Sequence, residues 1–217
     1  MTQPPGPRWR GGQRRIGLTG GIASGKSTVG HWLEARGLPL LDADRFAREA
    51  LAAGSAGARA VLQRYGAAVQ AAGSDPAEAQ LDRSALGRIV FHDPSERLWL
   101  EQLVHPLVRQ RFDEELQQRT AAPALVLMIP LLFEAGLEGL CSEIWLVDCD
   151  PATQLQRLMT RDQLNEADAR ARLGAQWPLE RKRPLADLVI DNRGGPEALE
   201  PQLATALEAG LSPGASG

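Results

Sequence analysis

Lysine is unusually scarce in this chain: of 24 basic residues only Lys26 and Lys182 are lysines, and arginine fills every other basic position. Arginine presents a planar fork and lysine a compact, flexible point charge, so the two lysines mark positions where the fork would not serve. Cysteine is equally rare, with Cys141 and Cys149 alone. Two thiols are too few for a disulfide framework or a cysteine zinc centre, and both flank an apolar run, which reads as buried reduced thiol. No apolar run is long enough to cross a bilayer, and the amino terminus lacks the apolar centre of a secretory signal. A cytoplasmic address and no membrane partner follow as expectations. The formal charge of −3 supplies no general basic surface, so no nucleic-acid partner is expected, and no obligate protein partner is evident. With 217 residues, 43% of them hydrophobic, the chain can bury a core.

Against these absences stands Gly20-Gly21-Ile22-Ala23-Ser24-Gly25-Lys26-Ser27-Thr28, a G-x-x-x-x-G-K-[ST] phosphate loop. Its glycines let backbone N–H groups converge on a triphosphate, and the following helix adds its positive end. Lys26 reaches the outer phosphates, the Ser27 hydroxyl suits Mg²⁺, and Thr28 supports the helix start. ATP and Mg²⁺ are therefore the expected co-substrate and metal. The context agrees: 15–19 reads as a buried strand and 26–36 as a helix with Val29, Trp32 and Leu33 on one face.

Further strands are expected at 38–41, 124–129, 143–148 and 187–190, giving a five-stranded parallel sheet in an α/β chain, with helices on both faces. Leu38 to Leu41 leads into Asp42-Ala43-Asp44, so two acids emerge at a strand's carboxyl end, where open α/β sheets bind ligands. Asp44 reads as a catalytic carboxylate that also caps the next helix. Residues 55–120 read as a helical insertion. Within it, Asp93-Pro94-Ser95-Glu96 resembles a capping box, and Pro106 is expected to bend or break its helix, leaving His105 extended. Pro130 ends the third strand and Leu131 to Glu134 begins a short helical stretch. The arginine-rich segment 157–183 reads as a lid, with Arg161 the leading phosphate-facing arginine and Arg157 its neighbour one turn earlier. Asp191-Asn192 forms a turn after the last strand.

The carboxyl ends of the strands thus gather Gly20 to Ser27, Asp42, Asp44, Glu134 and Asn192, a set best explained by a small kinase. A switch GTPase would carry an N-K-x-D guanine reader, yet Asn165 precedes Glu166 and Asn192 precedes Arg193. The runs Ile16 to Val29, Asp42-Ala43-Asp44, His105-Pro106, Ile129-Pro-Leu-Leu-Phe-Glu134, Arg161-Asp162 and Ala186 to Asn192 resemble the dephospho-CoA kinase family, in order, over most of the chain. The resemblance implies a three-layer P-loop NTPase core with a helical acceptor-binding insertion and a lid. It also implies ATP-dependent phosphorylation of the ribose 3′-hydroxyl of dephospho-CoA. Under it Asp44, Lys26 and Arg161 are catalytic, Asp42, Asp44, His105 and Glu134 face the acceptor, and Asn192 lies near the ATP base. Gln176 and Lys182 fall at the lid exit. Two other readings remain: a nucleoside or nucleotide kinase of related fold, and a nucleotide-responsive ATP-binding protein. The expected organisation is a disordered extension over 1–14, core at 15–54, 121–156 and 184–210, acceptor-binding helices at 55–120, lid at 157–183, and a tail at 211–217.

Overall fold

A computed structural model describes residues 7–73, 78, 80–194 and 196–210. The expected tail at 211–217 and the first six residues lie outside that set. The chain divides into two compact units, Met1–Leu41 with Ala121–Gly217, and Asp42–Thr120.

The first unit is built on a five-stranded sheet in the order β2-β3-β1-β4-β5. Its strands are β1 (Arg14–Gly20), β2 (Leu40–Asp42), β3 (Ala124–Met128), β4 (Glu143–Asp148) and β5 (Leu188–Asp191). The pairs β1–β3, β1–β4 and β4–β5 run parallel. Successive residues of β3 and β4 are buried on both faces, which is why these strands read as unbroken apolar runs rather than alternating ones. One face packs Ile16, Leu18, Val126, Trp145 and Val147 against Val29 and Leu33 of α1 (Lys26–Glu34) and Leu199 and Leu203 of α9 (Pro196–Ala209). The same unit carries α6 (Pro151–Asp162), α7 (Glu166–Gly174) and α8 (Leu179–Lys182).

Residues 7–14 do not follow the expectation of disorder. The Trp9 N–H donates to the Cys141 carbonyl at 2.9 Å, Arg8 pairs with Asp187 at 3.0 Å, and the Arg15 guanidinium stacks 3.5 Å from the Trp9 ring. Arg14, the first residue of β1, pairs with Glu143 and donates to Leu207 O at 2.8 Å. One tryptophan and three arginines thereby order a segment that has no apolar period for a sequence to reveal.

The second unit is helical: α2 (Ala43–Ala50), α3 (Ala56–Tyr65), α4 (Arg83–His92) and α5 (Pro94–Gln118). Phe46 and Phe112 meet edge to face at 4.9 Å, and Val61, Val69, Ala85 and Leu86 form a second apolar cluster. Pro106 does not end α5, which runs through it to Gln118. Proline removes one N–H, but Val104, Val108, Phe112 and Leu116 recur every fourth residue as one buried face across it, and that packing carries the helix through. His105 is accordingly helical and exposed, not extended. The capping box is half formed. Asp93 accepts from Ser95 N at 2.8 Å and Glu96 N at 3.4 Å, but Glu96 is drawn away to Arg64, at 2.7 and 2.8 Å, and to the Tyr65 hydroxyl.

Candidate active site

The phosphate loop leaves β1 at Gly20, which has φ +156°, and enters α1 through Gly25, with φ +98°. A Cβ at Gly25 would lie 2.0 Å from Asn192 Nδ2, and one at Gly20 would lie 2.6 Å from both Ser24 Oγ and the Val147 carbonyl oxygen. No side chain fits at either place, so the concavity stays lined by backbone. Lys26 Nζ is held over it by the carbonyls of Gly20 at 3.2 Å and Gly21 at 2.7 Å.

The helix cap differs at the nucleotide end. Side-chain oxygens of Asp42, Ser55, Asp82, Asp93, Asp150 and Asn165 cap α2 to α7 in turn. By contrast α1 has Gly25 at its N-cap, no side-chain cap and no acid in its first turn. Its positive end is therefore uncompensated by an acidic side chain and suits an external anion. Ser27 and Thr28 are exposed there. Among the described residues no three His, Cys, Asp or Glu side chains gather to hold a metal. An exposed serine hydroxyl without an acidic cage fits Mg²⁺, which keeps most of its shell as water and phosphate oxygen.

Three amide side chains from distant parts of the chain grip the loop. Gln154 Nε2 donates to Ile22 O at 2.8 Å, Ile22 N donates to Gln176 Oε1 at 2.9 Å, and Asn192 Nδ2 donates to Ser24 O at 2.7 Å. Asn192 is buried, and its own carbonyl accepts from Arg157 Nη2 at 3.3 Å. The residue expected near the ATP base is thus a support of the loop. Gln154 escaped the sequence reading altogether. Its burial on α6 comes from the fold, and no local sequence signal marks it.

Arg161 stands at the exposed end of α6, where it pairs with Asp162 at 2.7 Å. Asp162 also receives Arg172 at 2.9 Å, and these two guanidiniums, Arg161 foremost, hold its carboxyl below the usual range. Glu134 lies in a turn rather than in the expected helix, and its Oε1 is taken by Lys182 at 2.8 Å and by Trp177 N at 3.0 Å. Asp42, Asp44 and His105 fall in the helical unit. The α2 cap is Asp42, which accepts from Asp44 N at 2.8 Å, so the capping role expected of Asp44 belongs to its neighbour. Asp44 occupies the first turn of α2 with its side chain exposed, two residues beyond the end of β2.

A five-stranded α/β core with this loop after its central strand defines a P-loop nucleotide-binding protein. The dephospho-CoA kinase model matches residues 14–197, and the chain belongs to that family. It is 63% identical over 190 residues to the dephospho-CoA kinase of Synechococcus sp. (strain CC9605), covering 88% of this chain and 90% of that one. Among solved structures, TT1252 from Thermus thermophilus is 40% identical with a TM-score of 0.76, covering 92% of this chain and 98% of that one. The dephospho-CoA kinase from Campylobacter jejuni is 26% identical with a TM-score of 0.66, covering 89% and 95%. The chain is accordingly an ATP-dependent kinase of coenzyme A biosynthesis. Among the described residues, no helix is long and apolar enough to cross a membrane.

Proposed function

We propose that this chain transfers the γ-phosphoryl group of ATP to the ribose 3′-hydroxyl of dephospho-CoA, giving CoA and ADP as the last step of CoA synthesis. The observation that carries the nucleotide half is the uncapped start of α1 behind a loop lined by backbone and Lys26. Family membership supports the acceptor. The loop N–H groups and Lys26 neutralise the outer phosphate oxygens as charge shifts toward the leaving ADP. Ser27 would hold Mg²⁺, which when bound adds positive charge at those oxygens.

Asp44 orients the 3′-hydroxyl and takes its proton as the new oxygen–phosphorus bond forms and the bond from phosphorus to the bridging oxygen breaks. Its exposed position just past the carboxyl end of β2 supports that role. Asp42 and His105 belong to the acceptor side, and residues 55–120 hold the acceptor. Residues 157–183 are the lid, with Arg161 supplying charge on closure and Arg157 already at the loop's flank through Asn192. Glu134 is assigned to holding the lid exit, because Lys182 and Trp177 N already share its Oε1. We place the reaction in the cytoplasm, a reading supported by the buried free thiols of Cys141 and Cys149.

The test is to incubate the purified chain with Mg-ATP and, separately, dephospho-CoA, adenosine, AMP and pantothenate, reading ADP release and acceptor mass together. A phosphorylated dephospho-CoA with the other acceptors inert is the expected result. Transfer to adenosine or AMP instead would replace the acceptor assignment.

A further inference from the structure

Lys182 is one of only two lysines in the chain and has no part in the reaction as described, yet it is completely buried. A buried ammonium must be paired and hydrogen-bonded to be tolerated. Its Nζ lies 2.8 Å from Glu134 Oε1 and donates to the Pro130 carbonyl at 3.3 Å. The same carbonyl accepts from the buried Thr19 hydroxyl, at 3.2 Å, on the residue immediately before the phosphate loop. Glu134 Oε1 in turn accepts from the backbone N–H of Trp177 at 3.0 Å. The next residue back, Gln176, accepts from the N–H of Ile22 at 2.9 Å, while Gln154 holds the carbonyl of that residue at 2.8 Å.

These bonds close a circuit: β1 end, the turn after β3, the lid exit, α6 and the loop itself. Both polar groups of Ile22 are engaged in it, so neither the 21–22 nor the 22–23 peptide can rotate without breaking a link. We propose that Lys182 is a positioning residue for the phosphate loop, acting through Glu134 and the backbone at Trp177 to set Gln176 against the Ile22 N–H. The lid exit is thereby fixed to the nucleotide site, and lid motion is confined to residues before Gln176. The position requires lysine rather than arginine, because a fully enclosed slot with two acceptors accommodates a point charge and not a planar fork. This inference rests only on the nucleotide role of the loop and is independent of which acceptor is phosphorylated.

The experiment uses the full chain without acceptor, reading Ile22 amide exchange by NMR and Mg-ATP affinity by calorimetry. Gln176→Met keeps the volume and removes the acceptor, and it should speed Ile22 exchange and weaken Mg-ATP binding, each by about tenfold. Gln176→Glu keeps an oxygen for the N–H, so it should restore Ile22 protection, a rescue that loss of packing would not show. Glu134→Gln, which weakens the hold of Lys182, should move both readouts in the direction of Gln176→Met, and Lys182→Arg should do the same if it folds. Wild-type exchange and affinity in Gln176→Met would overturn the clamp. A shift in Gln176→Met with none in Glu134→Gln would overturn the part assigned to Lys182. Phosphorylation of dephospho-CoA, assayed separately, reports on the acceptor and leaves these outcomes unaffected.

Discussion

Asn192 donates its side-chain amide to the Ser24 carbonyl across 168 residues of chain, at 2.7 Å, and in doing so occupies the space that a side chain at position 25 would need. The last strand's end therefore dictates a glycine in the phosphate loop. The two residues act as one feature: removing the space at Gly25 displaces the support at Asn192.

Gly25→Ala is expected to destabilise the fold by about 2 kcal/mol or more and to abolish tight ATP binding. The positive φ is strained for any L side chain, and the new Cβ meets Asn192 Nδ2 at 2.0 Å. Urea unfolding together with calorimetric titration of Mg-ATP checks both effects. A variant with normal ATP affinity would show that the loop tolerates a shifted Asn192.

On the role proposed for Asp44, Asp44→Asn should retain ATP binding and lose turnover by about a hundredfold or more, because the carboxylate assigned to the acceptor hydroxyl is gone. Lys26→Ala should lose both nucleotide affinity and rate, since the ammonium over the loop serves phosphates in ground and transition states alike. Steady-state kinetics with each substrate varied distinguishes the two patterns. A near-normal kcat in Asp44→Asn would remove that residue from the chemistry.

Asp191 is held at about 2 by the Arg193 guanidinium and backbone N–H. A carboxylate whose folded pKa is depressed stabilises the fold above its unfolded value, about 3.9, and that contribution disappears as pH falls toward the folded value. Asp191→Asn should therefore lower the urea midpoint by a constant amount above about pH 5, with the two proteins converging near about pH 2. The pair is solvent-exposed, so added salt should shrink the difference. A gap that widens on acidification would contradict the assignment.

Burial pushes the Cys141 thiol up to about 12 and raises that of Cys149 as well, against the opposing pull of Arg157. Both sulfurs should stay protonated and unreactive toward a disulfide reagent at pH 8 in the folded protein, and both should react at once in denaturant. A fast-reacting thiol in the native state would place one of them at the surface.

Much of the core and of the loop was legible because the signals are local. The G-x-x-x-x-G-K-[ST] run specifies backbone curvature within nine residues, and the cap at Asp93 acts within three. Other readings failed where a local rule met a distant partner. Pro106 should interrupt a helix taken alone, but the four-residue spacing of Val104 to Leu116 outweighs one missing N–H. Glu96 should close a capping box, but Arg64 and Tyr65 take its carboxylate with three bonds. Residues 7–14 show no apolar period, yet Trp9 and Arg8 find partners in Cys141 and Asp187.

By itself the sequence determined the phosphate loop, the five apolar strands, the starts of α1 and α5, the buried cysteines and the family, because propensity, hydrogen-bond capping and hydrophobic run length operate between neighbours. Only the tertiary structure decided the order β2-β3-β1-β4-β5, the anchoring of the loop by Gln154, Gln176 and Asn192, and the enclosure of Lys182 beside Glu134. Those outcomes depend on which polar groups meet when the strands align, and a buried donor takes whatever acceptor the fold brings within 3 Å, however far away it lies in the chain.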